Sequence, residues 1–290
     1  MDQRIIDLYD RFTHGAMSRR DFLDRAGEIV GSAAAAAALL PVLRNDYAKA
    51  ETIAANDARL RAETIAYDAP GGKVSGYLVR LKETMRRPAV IVVHENRGLN
   101  PHIEDIARRL AAEGFLALAV DLLSSGGGTP SDEDKARDMI GKLDLAATEK
   151  QLAAAVPFLE KHAESNGKVG AVGFCWGGGM INRLAAVSPD LKAAVAYYGR
   201  QLPADRVPGI RAPLLLHYAG LDQPINSGIP AYEAALKANN KRYAIYVYPN
   251  VNHAFNNDTN TPRYNKEAAD LAWSRTLAFF RENLGAPSRA

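Results

Sequence analysis

The strongest constraint on this chain is an alternation. From about residue 60 onward, short apolar runs rich in Val, Ile, Leu and Tyr take turns with longer stretches of helical spacing. That rhythm implies an α/β fold, a mostly parallel sheet flanked by helices. An early strand is expected over 74–80, and the compact apolar run 89–94, bounded by Pro88 and a polar loop, suits a buried central strand. Spacing at Ile103, Ile106, Ala107 and Leu110 predicts a helix over 103–113. Residues 116–120 give the next strand, with Asp121 where such strands run out into functional loops, and the Gly- and Ser-rich stretch 124–129 reads as a flexible loop. A long helical pattern over 132–162, broken near Gly141, precedes a strand over 168–174. A helix follows Trp176, then strands over 193–198 and 213–218, a helix over 231–237, a strand over 243–248 and a closing amphipathic helix over 268–283. With no repeat and no boundary after residue 60, residues 51–290 read as one domain.

The bulk numbers exclude some functions. Lys and Arg total 36 against 33 Asp and Glu, and the resulting charge of +3 does not call for nucleic acid as a partner, particularly without a basic stripe interleaved with aromatics. The single cysteine, Cys175, rules out an intramolecular disulfide and any multi-cysteine metal site, so its value lies in packing or in thiol chemistry.

Residues 1–50 carry a different signal. Ser18-Arg19-Arg20-Asp21-Phe22-Leu23 is similar to the twin-arginine export motif, an apolar stretch runs from Ala26 through the alanine tract to Leu43, and Ala48-Lys49-Ala50 offers a small-residue cleavage site. On this reading the segment is an export signal, the mature enzyme starts near Glu51 in the periplasm, and the export machinery is a partner. The other reading is a helical extension packed on the main domain of a cytoplasmic protein. Asp24 and Glu28 beside the apolar stretch, and Asp2, Asp7 and Asp10 ahead of it, favour the extension. The stretch falls short of the about 20 successive apolar residues of a membrane-spanning helix, so no stable span is expected.

The chemistry concentrates at Gly173-Phe174-Cys175-Trp176-Gly177, a G-x-C-x-G sequence between an expected strand and an expected helix. This is the context of a nucleophile elbow, where a sharp turn exposes the nucleophile and the helix N-terminus favours a thiolate and a developing oxyanion. The N–H of Trp176 is then one oxyanion donor. Asp222 follows the 213–218 strand and His253 follows the 243–248 strand, so nucleophile, acid and histidine come in the chain order of α/β-hydrolases, all in loops after strands. His253 is expected as general base and acid, with Asp222 fixing its tautomer. Duller roles exist: Cys175 as a small core residue, His253 as a surface residue, Asp222 as a turn former. His94 is a candidate for the pocket lining, whereas His14, His102, His162 and His217 read as structural or solvated. Glu95 follows the strand ending at His94, where this fold supplies its second oxyanion donor, here the N–H of Asn96.

Four stretches, His94-Glu95-Asn96-Arg97-Gly98-Leu99-Asn100, Gly173-Phe174-Cys175-Trp176-Gly177-Gly178, Tyr197-Tyr198-Gly199 and Asn252-His253-Ala254-Phe255, resemble the dienelactone hydrolase family, in particular its YghX-like bacterial members. The resemblance implies hydrolysis of a small-molecule enol-lactone or related ester through an acyl-enzyme on Cys175, with no metal or organic cofactor. It also implies that Glu95 contacts the resting thiol and helps switch it to a thiolate. The family's dienelactone enzyme holds the substrate carboxylate with two arginines. At one of those positions this chain has Asn257, and the other corresponds loosely to Arg137, while Arg97 and Arg200 are further sources of positive charge. The rival functions are a carboxylesterase or thioesterase on the same fold, a thiol redox or binding protein using Cys175, and a non-catalytic scaffold.

Overall fold

The computed structural model describes residues 1–49 and 51–286. Its centre is one sheet of eight strands in the order β1-β2-β4-β3-β5-β6-β7-β8. The strands are β1 (Leu60–Ala69), β2 (Gly72–Leu81), β3 (Arg87–Val93), β4 (Leu116–Val120), β5 (Ser165–Phe174), β6 (Ala193–Tyr197), β7 (Leu214–Ala219) and β8 (Tyr243–Tyr248). The pairs β1–β2 and β2–β4 are antiparallel and the rest run parallel. Helices α1 (Gln3–Thr13), α2 (Arg19–Val30) and α3 (Ala33–Leu43) precede the sheet. Interleaved with it are α4 (Pro101–Ala112), α5 (Glu133–Ile140), α6 (Leu145–Ala153), α7 (Ala155–Glu160), α8 (Trp176–Val187), α9 (Gln223–Asn226), α10 (Ile229–Ala238) and the closing α11 (Lys266–Leu284).

The period of two along β3 shows how the sequence builds this. Every residue of the strand is buried. Ala89, Ile91 and Val93 enter the core on one face of the sheet, and Val90 and Val92 enter the core on the other. Truncating one of the larger aliphatics here would cost about 2–5 kcal/mol. The helical pattern over 132–162 resolves into three helices. Asp144 ends the first break by accepting from the N–H groups of Ala146 and Ala147 at 2.8 and 2.9 Å, and Pro157, with no N–H to give Ala153, marks the second.

One expectation is corrected and one strand is added. The 124–129 stretch is held in place: Asp121 accepts from the N–H and hydroxyl of Thr129, each at 2.8 Å, and its carboxylate also takes the N–H of Leu123 at 3.0 Å. Asp121 therefore serves the loop and not the site. Strand β1, not expected from the sequence, joins β2 through Pro70-Gly71, with Ala69 opposite Gly72 and Gly71 at φ 89°.

Residues 1–49 fold as a unit on the edge where β5, β7 and β8 end. Tyr9, Phe12, Phe22, Ala26, Ala36, Leu40 and Leu43 make a small core between α1, α2 and α3. Gly27 lets α2 approach α3, since a Cβ there would lie 2.9 Å from the Ala33 nitrogen. Arg19 and Arg20 are exposed, and Ser18 and Asp21 form a capping box at the start of α2. Among the described residues no single helix is long and apolar enough to cross a membrane. The unit docks through Gln3 to Asn252 at 2.5 Å, Asn96 to the Thr13 carbonyl at 2.8 Å, Asn260 to the Leu43 carbonyl at 2.8 Å, and Asp46 N–H to the Thr259 carbonyl at 2.8 Å.

Candidate active site

Strand β5 stops at Phe174, and Cys175 makes the turn into α8 with φ 55° and ψ −116°. A residue with a Cβ in that region stores roughly 1–3 kcal/mol of strain, which the surrounding packing must sustain. The flanking glycines permit it. A Cβ on Gly173 would lie 2.3 Å from the Gly177 carbonyl oxygen, and one on Gly177 would lie 2.4 Å from that of His94. The sulfur therefore stands at the N-terminus of a 12-residue helix, where the dipole favours negative charge.

Asp222 caps α9 just beyond β7, and His253 lies in the loop after β8. His253 Nδ1 and Asp222 Oδ2 are 2.5 Å apart, and both residues are buried. With Nδ1 committed to the carboxylate, Nε2 of His253 is a buried nitrogen without a hydrogen-bond partner among the described residues. A ring nitrogen of His253 lies within 4.8 Å of the Cys175 sulfur. Against the cost of burial, Asp222, Asp10 and Cys175 hold the His253 imidazolium well above the usual histidine range.

A second histidine reaches the same sulfur. His14, at the end of α1, places Nε2 3.2 Å from Cys175 Sγ, and its ring meets that of His253 edge-on with centroids 4.7 Å apart. Its Nδ1 lies 2.7 Å from the Asp10 carbonyl oxygen and 3.4 Å from the Asp10 carboxylate, which also pairs with Arg263 at 3.3 Å. Partial desolvation opposes charge on this ring, yet Cys175 and Asp10 raise His14 to about 10. Burial likewise pushes the Cys175 thiol up, but the imidazoles of His14 and His253 overcome it and bring the thiol down to about 6. The expectation that His14 is structural or solvated is therefore corrected. Nothing in the spacing of the sequence singles out His14, because its partner is 161 positions away.

Glu95 is buried and accepts from Asn257 Nδ2 at 2.8 Å and from the Tyr198 hydroxyl at 3.4 Å. Among the described residues, the hydrogen bond to the thiol comes from His14, not from Glu95. The N–H groups of Trp176 and Asn96 have no hydrogen-bond partner among the described residues. His94 is fully buried behind the site, stacked on the Trp176 indole at 5.3 Å and bonded to the N–H of Leu122 at 3.3 Å, so it does not line the cavity. His102 and His217 are buried structural residues, as expected, the first with Nδ1 3.1 Å from the Asp258 carboxylate and the second hydrogen-bonded to the Tyr248 hydroxyl.

The arginines separate. Arg97 lines the cavity, tied to the Glu133 carbonyl at 3.0 Å and Asp134 at 3.4 Å. Arg137 lies outside it, paired with Asp134 and Asp138 and stacked over Phe12, where it helps seat α1. Arg200 is exposed and also outside. The cation missed from sequence is Arg263, which lines the cavity from further along the His253 loop. Tyr9, Thr13, His14 and Asn45 roof this space, whose volume of about 20 Å³ is room for about one water molecule. The ring nitrogens of His14 and His253 and the sulfur of Cys175 thus gather within 4.8 Å of one another.

Comparison with known proteins gives a consistent picture. A model of the dienelactone hydrolase family matches residues 74–284, and one described as YqhI-like matches residues 1–31. A protein of Escherichia coli O157:H7 named carboxymethylenebutenolidase is 37% identical over 216 residues, which is 69% of this chain and 79% of that protein. The hydrolase fragment YghX of Escherichia coli K12 is 49% identical over 112 residues, 38% of this chain and 96% of the fragment. A Klebsiella pneumoniae structure described as a dienelactone hydrolase superposes with a TM-score of 0.70 at 31% identity, covering 77% of this chain and 99% of its own. The family match spans most of β2 and all of β3 to β8, the cysteine turn and the loops carrying Asp222 and His253, and on that ground the chain belongs to the dienelactone hydrolase family, a hydrolase of the α/β-hydrolase superfamily.

Proposed function

We propose that this enzyme cleaves small carboxylic esters or lactones, enol-lactones among them, with Cys175 as nucleophile, His253 as general base and acid and Asp222 as the partner of His253. The observation that carries the reading is the strained Cys175 at the strand-to-helix turn, facing a histidine whose other nitrogen is committed to a buried carboxylate. The sulfur attacks the carbonyl carbon, and the oxyanion is received by the N–H groups of Trp176 and Asn96. Collapse of the intermediate expels the alkoxide or enolate, which takes a proton from His253. Water then gives a proton back to His253 as it attacks the thioester, releasing the acid and the sulfur. Arg97 and Arg263 at the cavity favour substrates that carry a carboxylate.

The test is hydrolysis of dienelactone, p-nitrophenyl acetate and short thioesters by the full chain beside Cys175→Ala and His253→Ala. Loss of turnover in both variants, with an acyl adduct on Cys175 seen by mass spectrometry in the parent, is the expected result. Turnover that survives Cys175→Ala would sink the reading. A second reading, reversible oxidation of Cys175, is favoured by the lowered thiol and rests on a small external thiol as reductant. It expects a sulfenic acid under mild peroxide and no ester turnover.

A further inference from the structure

The extension does more than cover the site. It brings a histidine to the nucleophile, and that histidine has its own carboxylate. We infer that His14, oriented by Asp10, is a catalytic residue that takes the proton of Cys175 and holds the sulfur as a thiolate. This rests on the proposed hydrolase reading only in treating Cys175 as the nucleophile.

Three observations carry the inference. The first is contact: Nε2 of His14 is the described atom within hydrogen-bond distance of the sulfur, at 3.2 Å. The second is orientation. Nδ1 faces the carbonyl and carboxylate of Asp10, both acceptors, so Nδ1 carries a hydrogen and Nε2 is the nitrogen left to share a proton with sulfur. The third is anchoring of α1 at both its ends, by Gln3 on Asn252 and by Thr13 on Asn96, with Arg263 fixing Asp10. His14 also differs from His253 in access. Its side chain keeps 33% of its surface in solvent, against 6% for His253, so it can exchange protons with bulk water.

The proton balance is simple. The S–H bond of Cys175 breaks and an N–H bond forms on His14 Nε2, leaving a thiolate and an imidazolium with Asp10 offsetting the new positive charge. The charged and titratable groups around the pair are Asp10, His253 with Asp222, Glu95, Tyr198, Arg97, Arg263 and Tyr9. On attack, the thiolate electron pair becomes the carbon–sulfur bond, while His253 handles the protons of the leaving group and of water. The two histidines thus divide the work that a single one performs in a three-residue site.

The test reads the thiolate directly. Because Cys175 is the chain's one cysteine, the rate of its alkylation by iodoacetamide against pH reports its ionisation without any turnover. The full chain is compared with His14→Gln and Asp10→Asn, in the presence of a chelator so that no bound cation perturbs the sulfur. The parent should show an inflection near 6. His14→Gln should move it upward by about one to three pH units, the effect of removing one close opposite charge, and Asp10→Asn should move it in the same direction by less. An unmoved inflection in folded His14→Gln overturns the inference. If that variant does not fold, Asp10→Asn decides by the same criterion, since it keeps the imidazole and the side-chain shape. The two readings separate cleanly. A shifted inflection with no hydrolysis by the parent retains the His14 pair and removes the hydrolase proposal, and an unmoved inflection with hydrolysis lost in Cys175→Ala does the reverse.

Discussion

Asn257 donates its side-chain amide to Glu95 at 2.8 Å, at the position where the family resemblance places a substrate-binding arginine. The same Asn257 accepts from the N–H and hydroxyl of Thr259, at 3.1 and 2.6 Å, so a neutral amide ties the buried carboxylate to the loop that carries His253. Asn257→Ala leaves all three groups short of a partner. It should lower stability by about 1–3 kcal/mol, read from the urea midpoint. An unchanged midpoint would mean that water replaces the amide without loss.

The pH profile of acylation follows from two shifts. The Cys175 thiol lies at about 6 and the His14 imidazolium at about 10. Below about 6 the sulfur is protonated and unreactive; above about 10 His14 is neutral and no longer pairs with it. The burst rate with p-nitrophenyl acetate should rise through the first value and hold through the second, because a thiolate that loses its imidazolium partner is still a thiolate. A burst rate that does not change across the acid limb would rule out a thiolate nucleophile.

Close packing at the elbow makes Gly177→Ala costly. The new Cβ would sit 2.4 Å from the His94 carbonyl oxygen and 2.5 Å from that of Val93, both backbone atoms that cannot swing away. A loss of at least about 1–3 kcal/mol is expected, with turnover falling because the sulfur is displaced. Thermal unfolding and the alkylation rate of Cys175 check the two parts separately.

Substrate charge should be felt by Arg263 and not by Arg200. Arg263 lines the cavity and Arg200 lies outside it. Arg263→Ala should raise KM for a carboxylate-bearing ester by about tenfold or more relative to its neutral analogue. Arg200→Ala should leave the ratio of the two unchanged. An equal effect of Arg263→Ala on both esters would assign that residue to holding Asp10 alone.

Residues 1–50 should be retained in the working enzyme, because Tyr9, Thr13, His14 and Asn45 complete the cavity wall. Passage through a twin-arginine route is compatible with this if the folded protein crosses uncleaved. Intact mass of protein from its natural host is the check, and a mature terminus near Glu51 with full activity would exclude any role for His14.

Much of this was legible because the central strands are short apolar runs that alternate between the two faces of the sheet. Cys175, Asp222 and His253 could be placed because each follows such a run, at one edge of the sheet. Strand β1 escaped because it lies at the sheet edge and Arg61, Glu63 and Asp68 break its apolar pattern; the Pro70-Gly71 turn was its one local signal. The alanine tract reads equally well as a leader and as α3, since small residues serve both a leader and a tightly packed helix pair. His14 reaches the site through docking between segments 161 positions apart, and such a contact leaves no period in the sequence; Arg263 lies on the His253 loop, whose irregular path leaves none either.

The roof formed by α1 has a further effect, on selectivity. With about 20 Å³ free at the sulfur, any ester must displace part of that roof, and a larger ester must displace more of it. Moving α1 also draws His14 away from Cys175, so a bulky substrate that forced its way in would meet a sulfur drifting back towards an ordinary thiol. A small, flat ring displaces the roof least and meets a sulfur still paired with His14. Size is then selected through the reactivity of the nucleophile as well as through fit, and a peroxide or disulfide too large to enter is kept from the same sulfur.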